Sequence, residues 1–269
     1  MRRFLATASL VLIAAVPGVA PDAAAQGQAL AGYGVVLMHG KGGRPGGLIG
    51  SLAAALESDG AVVLMPRMAW AGSQGRPEKY DVPYEKALAQ ISPVIEQLKT
   101  RGARRIVVAG QSLGANAAIG YAVRHGTGLA GIVALAPGHT PELGAFRSRV
   151  ANDVARAKQL VASGHGGSLA TFLDLNQGHY FPVEATPAAY LSFFDPDGPA
   201  VMPRNAAAMP RMPLAWVIGR WDRLAEAGRG YAFDRAPQHP KSRYIEVDAE
   251  HSDTPTVARR EVIAWLRAL

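Results

Sequence analysis

A serine lies between two glycines where an apolar run gives way to an alanine-rich stretch. The pentapeptide Gly110-Gln111-Ser112-Leu113-Gly114 follows "RRIVVA" and precedes "ANAAIGYAV". It fits the pattern G-x-S-x-G, in which a tight turn from strand to helix accepts only small flanking residues and projects the serine outward. Such a serine is placed for nucleophilic attack, although a helix N-cap serine between glycines has the same local sequence.

A serine hydroxyl becomes a strong nucleophile only when a base removes its proton, and the chain offers such a base. His251 lies in "VDAEHSDT", just beyond the last predicted strand, and Asp222 lies in "VIGRWDRL", just beyond the strand before it. A neutral imidazole accepts the serine proton, and a carboxylate fixes the tautomer of that imidazole. We favour Asp222 as this carboxylate because close sequence neighbours seldom face each other across a turn. The competing acids are Glu226, Asp248, Glu250 and Asp253.

The segment "LMHGKGG", residues 37–43, ends an early predicted strand in a glycine-rich loop. This loop can aim the backbone N–H of Lys41 at the same point as the N–H of Leu113, which gives two donors for an oxyanion. We expect the Lys41 side chain to be solvated while its backbone acts. His39 is expected to brace the loop through hydrogen bonds.

Four further residues are candidates for contact with a substrate. His139 follows a predicted strand, on the side of the crevice, with exposure to solvent as the alternative. Trp221 lies near another strand end and either lines a pocket or packs in the core. Phe193 and Phe194 either form an apolar wall for an acyl group or pack an inserted segment onto the sheet.

These residues need secondary-structure elements that bring them to one place. Short, continuous, β-branched runs alternate with stretches of helical periodicity, a pattern typical of parallel strands covered by helices on both faces. The predicted strands are 33–39, 61–66, 104–110, 130–137, 214–219 and 242–249. The predicted helices are 47–58, 82–101, 113–125 and 254–268. The sequence therefore predicts an α/β fold with a doubly wound, shortened, all-parallel sheet of about six strands.

The interval 138–212, after the strand "AGIVALAP", is longer than a crossover between strands requires. It contains an amphipathic helical stretch, "PELGAFRSRVANDVARAKQLVAS", and an irregular stretch, "NQGHYFP". It also contains four aromatic residues that favour a packed lid: Phe181, Tyr190, Phe193 and Phe194. Long loops inside compact domains are usually functional lids or poorly ordered segments. We therefore predict a cap insertion over residues 138–212.

Together, these motifs resemble those of the α/β-hydrolase family over nearly the whole chain after residue 25. The family's chain order is nucleophile, acid, histidine, which corresponds here to Ser112, Asp222 and His251. The resemblance implies that Lys41 and Leu113 supply the backbone of the oxyanion hole. The chain departs from the family by lacking two leading strands, since its first predicted strand corresponds to the family's third. Lids of the family are inserted where the interval described above lies.

The N-terminal segment predicts export. Residues 1–25 begin with two arginines after the initiator methionine, continue with an apolar run and end in three alanines. This is the layout of a cleavable signal peptide. Pro17, Gly18 and Pro21 cut the apolar run below the ~20 residues that a spanning helix needs, so we expect no stable membrane anchor. The mature chain is then 26–269, a single α/β-hydrolase domain in the bacterial periplasm or outside the cell.

Composition excludes several classes of function. The chain of 269 residues is 49% hydrophobic and 18% charged, and it has no cysteine, which excludes disulfides and thiol catalysis. Removing the two arginines and one aspartate of residues 1–25 changes 28 basic and 21 acidic residues to 26 and 20, without any block of like charge. Nucleic-acid binders concentrate basic residues in a stripe, so no nucleic-acid partner is expected. Three further histidines show no metal-ligand spacing with any carboxylate, so we expect no metal: His165, His179 and His239.

These observations predict an exported serine hydrolase that cleaves small-molecule carboxylic esters through an acyl-serine intermediate and uses no cofactor. Peptidase, thioesterase and acyltransferase activities stay open on the same fold. A non-catalytic protein that binds a ligand in the capped crevice is a different class, but such a protein has no need of Ser112, Asp222 and His251 together. The sequence leaves the oligomeric state open.

Overall fold

The computed structural model describes residues 29–269. The predicted signal peptide, 1–25, lies outside this range and stays a prediction. The strands are β1 (Tyr33–Met38), β2 (Val62–Leu64), β3 (Gly72–Ser73), β4 (Arg76–Pro77), β5 (Lys79–Tyr80), β6 (Arg105–Ser112), β7 (Leu129–Pro137), β8 (Ala170–Asn176), β9 (His179–Ala185), β10 (Leu214–Gly219) and β11 (Arg243–Val247). Six of them form the central sheet in the order β2-β1-β6-β7-β10-β11, with every neighbouring pair parallel. The predicted six-stranded, all-parallel sheet is confirmed.

The helices fill the intervals between these strands. They are α1 (Gly50–Ser58), α2 (Tyr84–Ala89), α3 (Ile91–Thr100), α4 (Leu113–His125), α5 (Gly144–Ala162), α6 (Pro187–Phe194), α7 (Met202–Ala208), α8 (Thr254–Val257) and α9 (Arg259–Arg267). Three short 3₁₀ helices lie at Arg223–Ala227, Arg229–Tyr231 and Phe233–Arg235. The single helices predicted over 82–101 and 254–268 are each two helices. In the first case Pro93 explains the break, because its ring clashes with the carbonyl four residues earlier.

The central strands are continuously apolar because both faces of the sheet are buried. In β1, Val35 and Leu37 belong to the core on one face, together with side chains of α1 and α9. Val36 and Met38 belong to the core on the other face, together with side chains of α3, α4 and the segment 138–212. Because successive side chains point to opposite faces of the sheet, consecutive apolar residues supply the cores on both faces.

The segment 138–212 is more regular than its sequence suggests. After α5, β8 and β9 pair as an antiparallel hairpin, and β9 pairs in parallel with the short β5. The stretch "NQGHYFP", expected to be irregular, therefore contains the hairpin turn and the start of β9. Gln177 and Gly178 occupy the turn with φ of 49° and 84°. Positive φ at both positions is typical of the two-residue turn that matches the twist of a hairpin.

Candidate active site

Ser112 ends β6 in a backbone conformation that non-glycine residues rarely adopt. Its φ is 57° and its ψ is −117°, and α4 begins at the next residue. Its side chain makes no capping hydrogen bond to α4 within the described chain, which argues against the N-cap interpretation of this serine. Strained residues of this kind persist only where the surrounding structure holds them, and they cluster at functional sites.

The two flanking glycines are required by close backbone contacts. A Cβ atom on Gly110 would lie 2.3 Å from the carbonyl carbon and oxygen of Gly114. A Cβ atom on Gly114 would lie 2.8 Å from the carbonyl oxygens of both Met38 and His39. The start of α4 is therefore pressed against the end of β1, which fixes Ser112 beside the loop that follows β1.

His251 and Asp222 form a short hydrogen bond at the ends of the last two strands. His251 Nδ1 lies 2.6 Å from Asp222 Oδ2, and Asp222 Oδ1 accepts a hydrogen bond of 2.9 Å from the Leu224 amide. The Asp222 carboxylate is buried. With Nδ1–H donating to the carboxylate, the neutral His251 ring keeps Nε2 as an acceptor.

The imidazole of His251 and the hydroxyl of Ser112 flank the same point in space. A Cβ atom on Gly138 would lie 2.8 Å from Ser112 Oγ and 3.3 Å from His251 Cε1. Among the competing acids, Asp248 accepts a hydrogen bond from Trp221 Nε1, 2.9 Å away, on the exposed surface. The arrangement thus pairs the histidine with Asp222 and turns its ring toward the serine.

The glycine-rich loop after β1 uses some of its amides internally. Gly42 N–H donates to the Trp70 carbonyl at 2.9 Å, and Gly43 N–H donates to the Gly40 carbonyl at 3.0 Å. Among the described residues, the Lys41 amide makes no comparable backbone hydrogen bond. Leu113 N–H stands in the first turn of α4, where amides have no partner inside the helix.

His39 braces this loop, as expected. Its Nδ1 lies 2.8 Å from the Gly40 carbonyl oxygen, and its Nε2 accepts a hydrogen bond of 3.2 Å from the Met68 amide. These two partners require a proton on Nδ1 and none on Nε2. Burial lowers the pKa of His39, which favours this neutral form.

The expectation of a solvated Lys41 side chain is wrong. Its Nζ donates to Asp174 Oδ1 at 2.6 Å and to the Leu175 carbonyl at 3.1 Å, and only 3% of the side chain is exposed. Tyr80 OH donates to the other carboxylate oxygen of Asp174 at 3.1 Å. The ammonium also lies 5.0 Å from the ring centroid of Phe194. The loop after β1 is therefore anchored to β8 by a buried ion pair.

Burial acts on both members of this ion pair. It lowers the pKa of the Lys41 ammonium and raises the pKa of the Asp174 carboxyl, while the opposite charge of each partner counteracts both changes. Every oxygen of the carboxylate has a donor, which is the condition under which a buried pair is tolerated. Loss of one partner would leave an uncompensated buried charge, a change that costs about 3–5 kcal/mol in other proteins.

A cleft of about 900 Å³ opens above Ser112 and His251. The loop after β1 forms one side, and the turns of the β3–β4 and β8–β9 hairpins form another. Leu48, Tyr180 and Phe181 give the cleft an apolar part. The serine, the histidine and the loop amides thus face one space large enough for a small molecule.

The residues that match a family model span most of the chain. A model of the alpha/beta hydrolase family matches residues 35–265. This chain belongs to the α/β-hydrolase family. No curated protein sequence matches this chain.

Several solved structures share the fold of this α/β-hydrolase. The metagenome-derived lipolytic enzymes LipS and LipT are represented at 15% identity and a TM-score of 0.61, covering 89% of this chain and 95% of that one. A monoacylglycerol lipase from Paleococcus ferrophilus has 22% identity and a TM-score of 0.59, covering 87% and 94%. A thermophilic esterase from Thermogutta terrifontis has 18% identity and a TM-score of 0.56, covering 88% and 90%. At identities this low, the structural likeness shows a common fold and nothing further.

Four residues that were expected to contact a substrate do not line the cleft of this α/β-hydrolase. Phe193 and Phe194 are fully buried, and His139 is buried with its Nε2 2.7 Å from the Phe193 carbonyl oxygen. Trp221 is 68% exposed and outside the cleft. The alternative of a solvated His139 is wrong as well, because its ring packs against Phe146 at a centroid distance of 5.3 Å.

Sequence reasoning missed part of the cleft wall. Arg76 and His179 line the cleft beside Phe181, for which the sequence predicts only packing within a lid. The available signal was a pair of Gln-Gly dipeptides, at 74–75 and 177–178, that mark tight turns. What the sequence lacked was any indication that both turns reach the same edge of the sheet.

Within residues 29–269, this α/β-hydrolase has neither a membrane-spanning helix nor a cluster of metal ligands. No helix in that range has both the length and the apolar character needed to cross a membrane. Within the same range, no group of three or more His, Cys, Asp or Glu side chains is arranged to hold a metal ion.

Phe193→Ala should lower the free energy of unfolding by about 3–5 kcal/mol, because it removes a fully buried ring packed against Tyr80 and Tyr84. Urea denaturation measures this change. Trp221→Ala is the matched control and should change the free energy of unfolding by only about 0.5 kcal/mol, since that ring is on the surface. Equal stabilities of the two variants would contradict the placement of Phe193 in the core.

Proposed function

We propose that this chain is an exported serine hydrolase that cleaves carboxylic esters, with Ser112 as nucleophile, His251 as base and Asp222 as acid. The observation that carries the proposal is the 2.6 Å hydrogen bond from His251 to Asp222, on a ring that faces the strained Ser112. A non-catalytic binding protein has no use for such a strained serine beside an oriented imidazole. The lipolytic enzymes and esterases that share the fold favour an ester over an amide.

In the first step, His251 Nε2 takes the proton of Ser112 Oγ while Oγ attacks the carbonyl carbon of the ester. The carbonyl oxygen becomes negatively charged, and the amides of Lys41 and Leu113 donate to it. Asp222 stabilises the imidazolium that forms. When the tetrahedral intermediate collapses, the C–O bond to the alcohol breaks and His251 returns its proton to the leaving alkoxide.

In the second step, water replaces the alcohol. His251 takes a proton from the water as its oxygen attacks the acyl-serine carbonyl, and the same two amides hold the second oxyanion. Collapse of this intermediate breaks the bond to Ser112 Oγ, which regains a proton from His251. A thiol ester would follow the same steps, so graded esters, thioesters and amides distinguish the alternatives.

Ser112→Ala should abolish labelling by a fluorophosphonate probe and lower kcat for a short-chain ester by about 10⁴-fold or more, because triad members act as a unit. Ser168→Ala, an exposed serine on a loop, is the control and should retain labelling and turnover. Retention of most ester hydrolysis by a folded Ser112→Ala protein would exclude this serine as nucleophile.

The export part of the proposal has its own test. Residues 1–25 should be removed on secretion, so N-terminal sequencing of protein from the periplasm or medium should begin at Gln26. Recovery of the full-length chain from the cytoplasm alone would contradict export and leave the chemistry of the site unaffected.

We also propose that Asp174 is a positioning residue that holds the amide of Lys41 in the oxyanion hole. The buried ion pair fixes the Lys41 side chain to β8, and the adjacent amide therefore has little freedom. An oxyanion donor acts on the transition state more than on the bound ester. Displacing it should therefore lower kcat and leave KM nearly unchanged.

Asp174→Asn should lower kcat by about 10–10³-fold with little change in KM, and it should lower the free energy of unfolding by about 3–5 kcal/mol. Steady-state kinetics and urea denaturation give the two values. Glu96→Gln, which breaks the exposed pair with Lys99, is the control and should change stability by less than about 1 kcal/mol. If Asp174→Asn does not fold, Tyr80→Phe removes one hydrogen bond to the same carboxylate. Wild-type kcat in the folded variants would contradict the positioning role.

A further inference from the structure

The cleft above Ser112 has an unbalanced charge. Its lining residues include Arg44 and Arg76, and no Asp or Glu side chain among the described residues contributes to its surface. Both arginines are exposed. Within residues 29–269, neither has an ion pair or a side-chain hydrogen bond, whereas the neighbouring Arg67 pairs with Glu78. Cationic groups gathered in a cleft raise the local concentration of anionic ligands.

Arg76 is positioned by its surroundings. A Cβ atom on Gly42 would lie 2.2 Å from the Arg76 amide nitrogen, so the backbone of β4 packs directly on the loop that carries Lys41. The guanidinium lies 5.7 Å above the ring centroid of Phe181, which also lines the cleft. The turn before β4 is tied to the β8–β9 hairpin by Asn176 Nδ2, which donates to the Gly75 carbonyl at 2.9 Å.

Arg44 lies on the same loop as Lys41, three positions further along the chain. Its carbonyl accepts a hydrogen bond of 3.2 Å from the Gly47 amide. This hydrogen bond closes a turn over residues 44–47 in the wall of the cleft. Two arginines thus border the space in front of the loop amides. A guanidinium offers a planar fork of donors that matches a carboxylate or a phosphate.

We propose that the substrate of this site is an ester that carries an anionic group, a carboxylate or a phosphate, which pairs with Arg76 and Arg44 while the ester carbonyl lies at Ser112. The anion supplies the counter-charge that the cleft wall lacks. The apolar part of the cleft, with Tyr180 and Phe181, takes the chain between the two groups. This inference rests on the proposed function and names its substrate class.

The test compares pairs of esters in which one member carries an anionic group and the other lacks it. On the acyl side, the phenyl monoester of glutarate is compared with phenyl pentanoate; on the alcohol side, the butyryl ester of glycerol 3-phosphate is compared with monobutyrin. In at least one pair, kcat/KM should be about tenfold or more higher for the anionic ester at low salt, and the preference should shrink as salt rises. The pair that shows the preference identifies which side of the ester carries the charge.

Arg76→Gln should reduce that preference, the ratio of kcat/KM for the anionic ester to kcat/KM for the neutral ester, by about tenfold. Arg101→Gln is the matched control and should keep the preference. Arg101 is exposed between α3 and β6, at the amino end of β6, whereas Ser112 lies at its carboxyl end. An anionic preference that survives in the Arg76→Gln, Arg44→Gln double variant would overturn the assignment.

Binding to the Ser112→Ala protein separates this proposal from the proposed function. Calorimetry with the same ester pairs reads the charge preference without turnover. Preferential binding of an anionic ester together with an inactive wild-type protein would contradict ester hydrolysis and support the anion site. Equal binding and equal kcat/KM of both members of each pair would overturn the anion site, even if the hydrolysis of neutral esters were normal.

Discussion

Backbone crowding at the end of β1 is the constraint on which the site depends. The first turn of α4 approaches so closely that a Cβ atom on Gly114 would lie 2.8 Å from two carbonyl oxygens of the β1 strand end and the loop after it. This contact brings the strained Ser112 beside the loop that carries Lys41. Strain at one such residue is worth about 1–3 kcal/mol, and the buried sheet on either side is what holds it.

The second constraint is the ion pair between Lys41 and Asp174, and it connects the sheet to the inserted segment. Because both groups are buried and paired with each other, the loop after β1 cannot move away from β8 without leaving a charge exposed or unpaired. The segment 138–212 therefore helps to position the loop after β1. Its hairpin fixes the geometry of a loop whose backbone faces the nucleophile.

The sheet and the proximity of Ser112, Asp222 and His251 at the ends of its strands were predictable from the sequence, and the environment of Lys41 was not. Strands buried on both faces give continuous apolar runs, and parallel strands bring Ser112, Asp222 and His251 to one edge by their order alone. The partner of Lys41 lies 133 positions away in a segment whose fold has no simple period. Phe193 was ambiguous for a related reason, since an aromatic residue on a short helix packs or lines a pocket according to which face meets the sheet.

The inserted segment has two parts with different freedom to change. The aromatic side chains of α6 stack in the core, as in the pair Tyr190 and Phe194 at a centroid distance of 4.3 Å, and any change of volume there disturbs close packing. Its β8–β9 turn is exposed at the cleft and contributes Gln177 and His179 to the wall. Substitutions in the turn alter the chemistry that a substrate meets without touching the core. For the proposed ester substrate, selection therefore depends on the exposed turn residues, while the buried aromatic residues pack the segment that carries them.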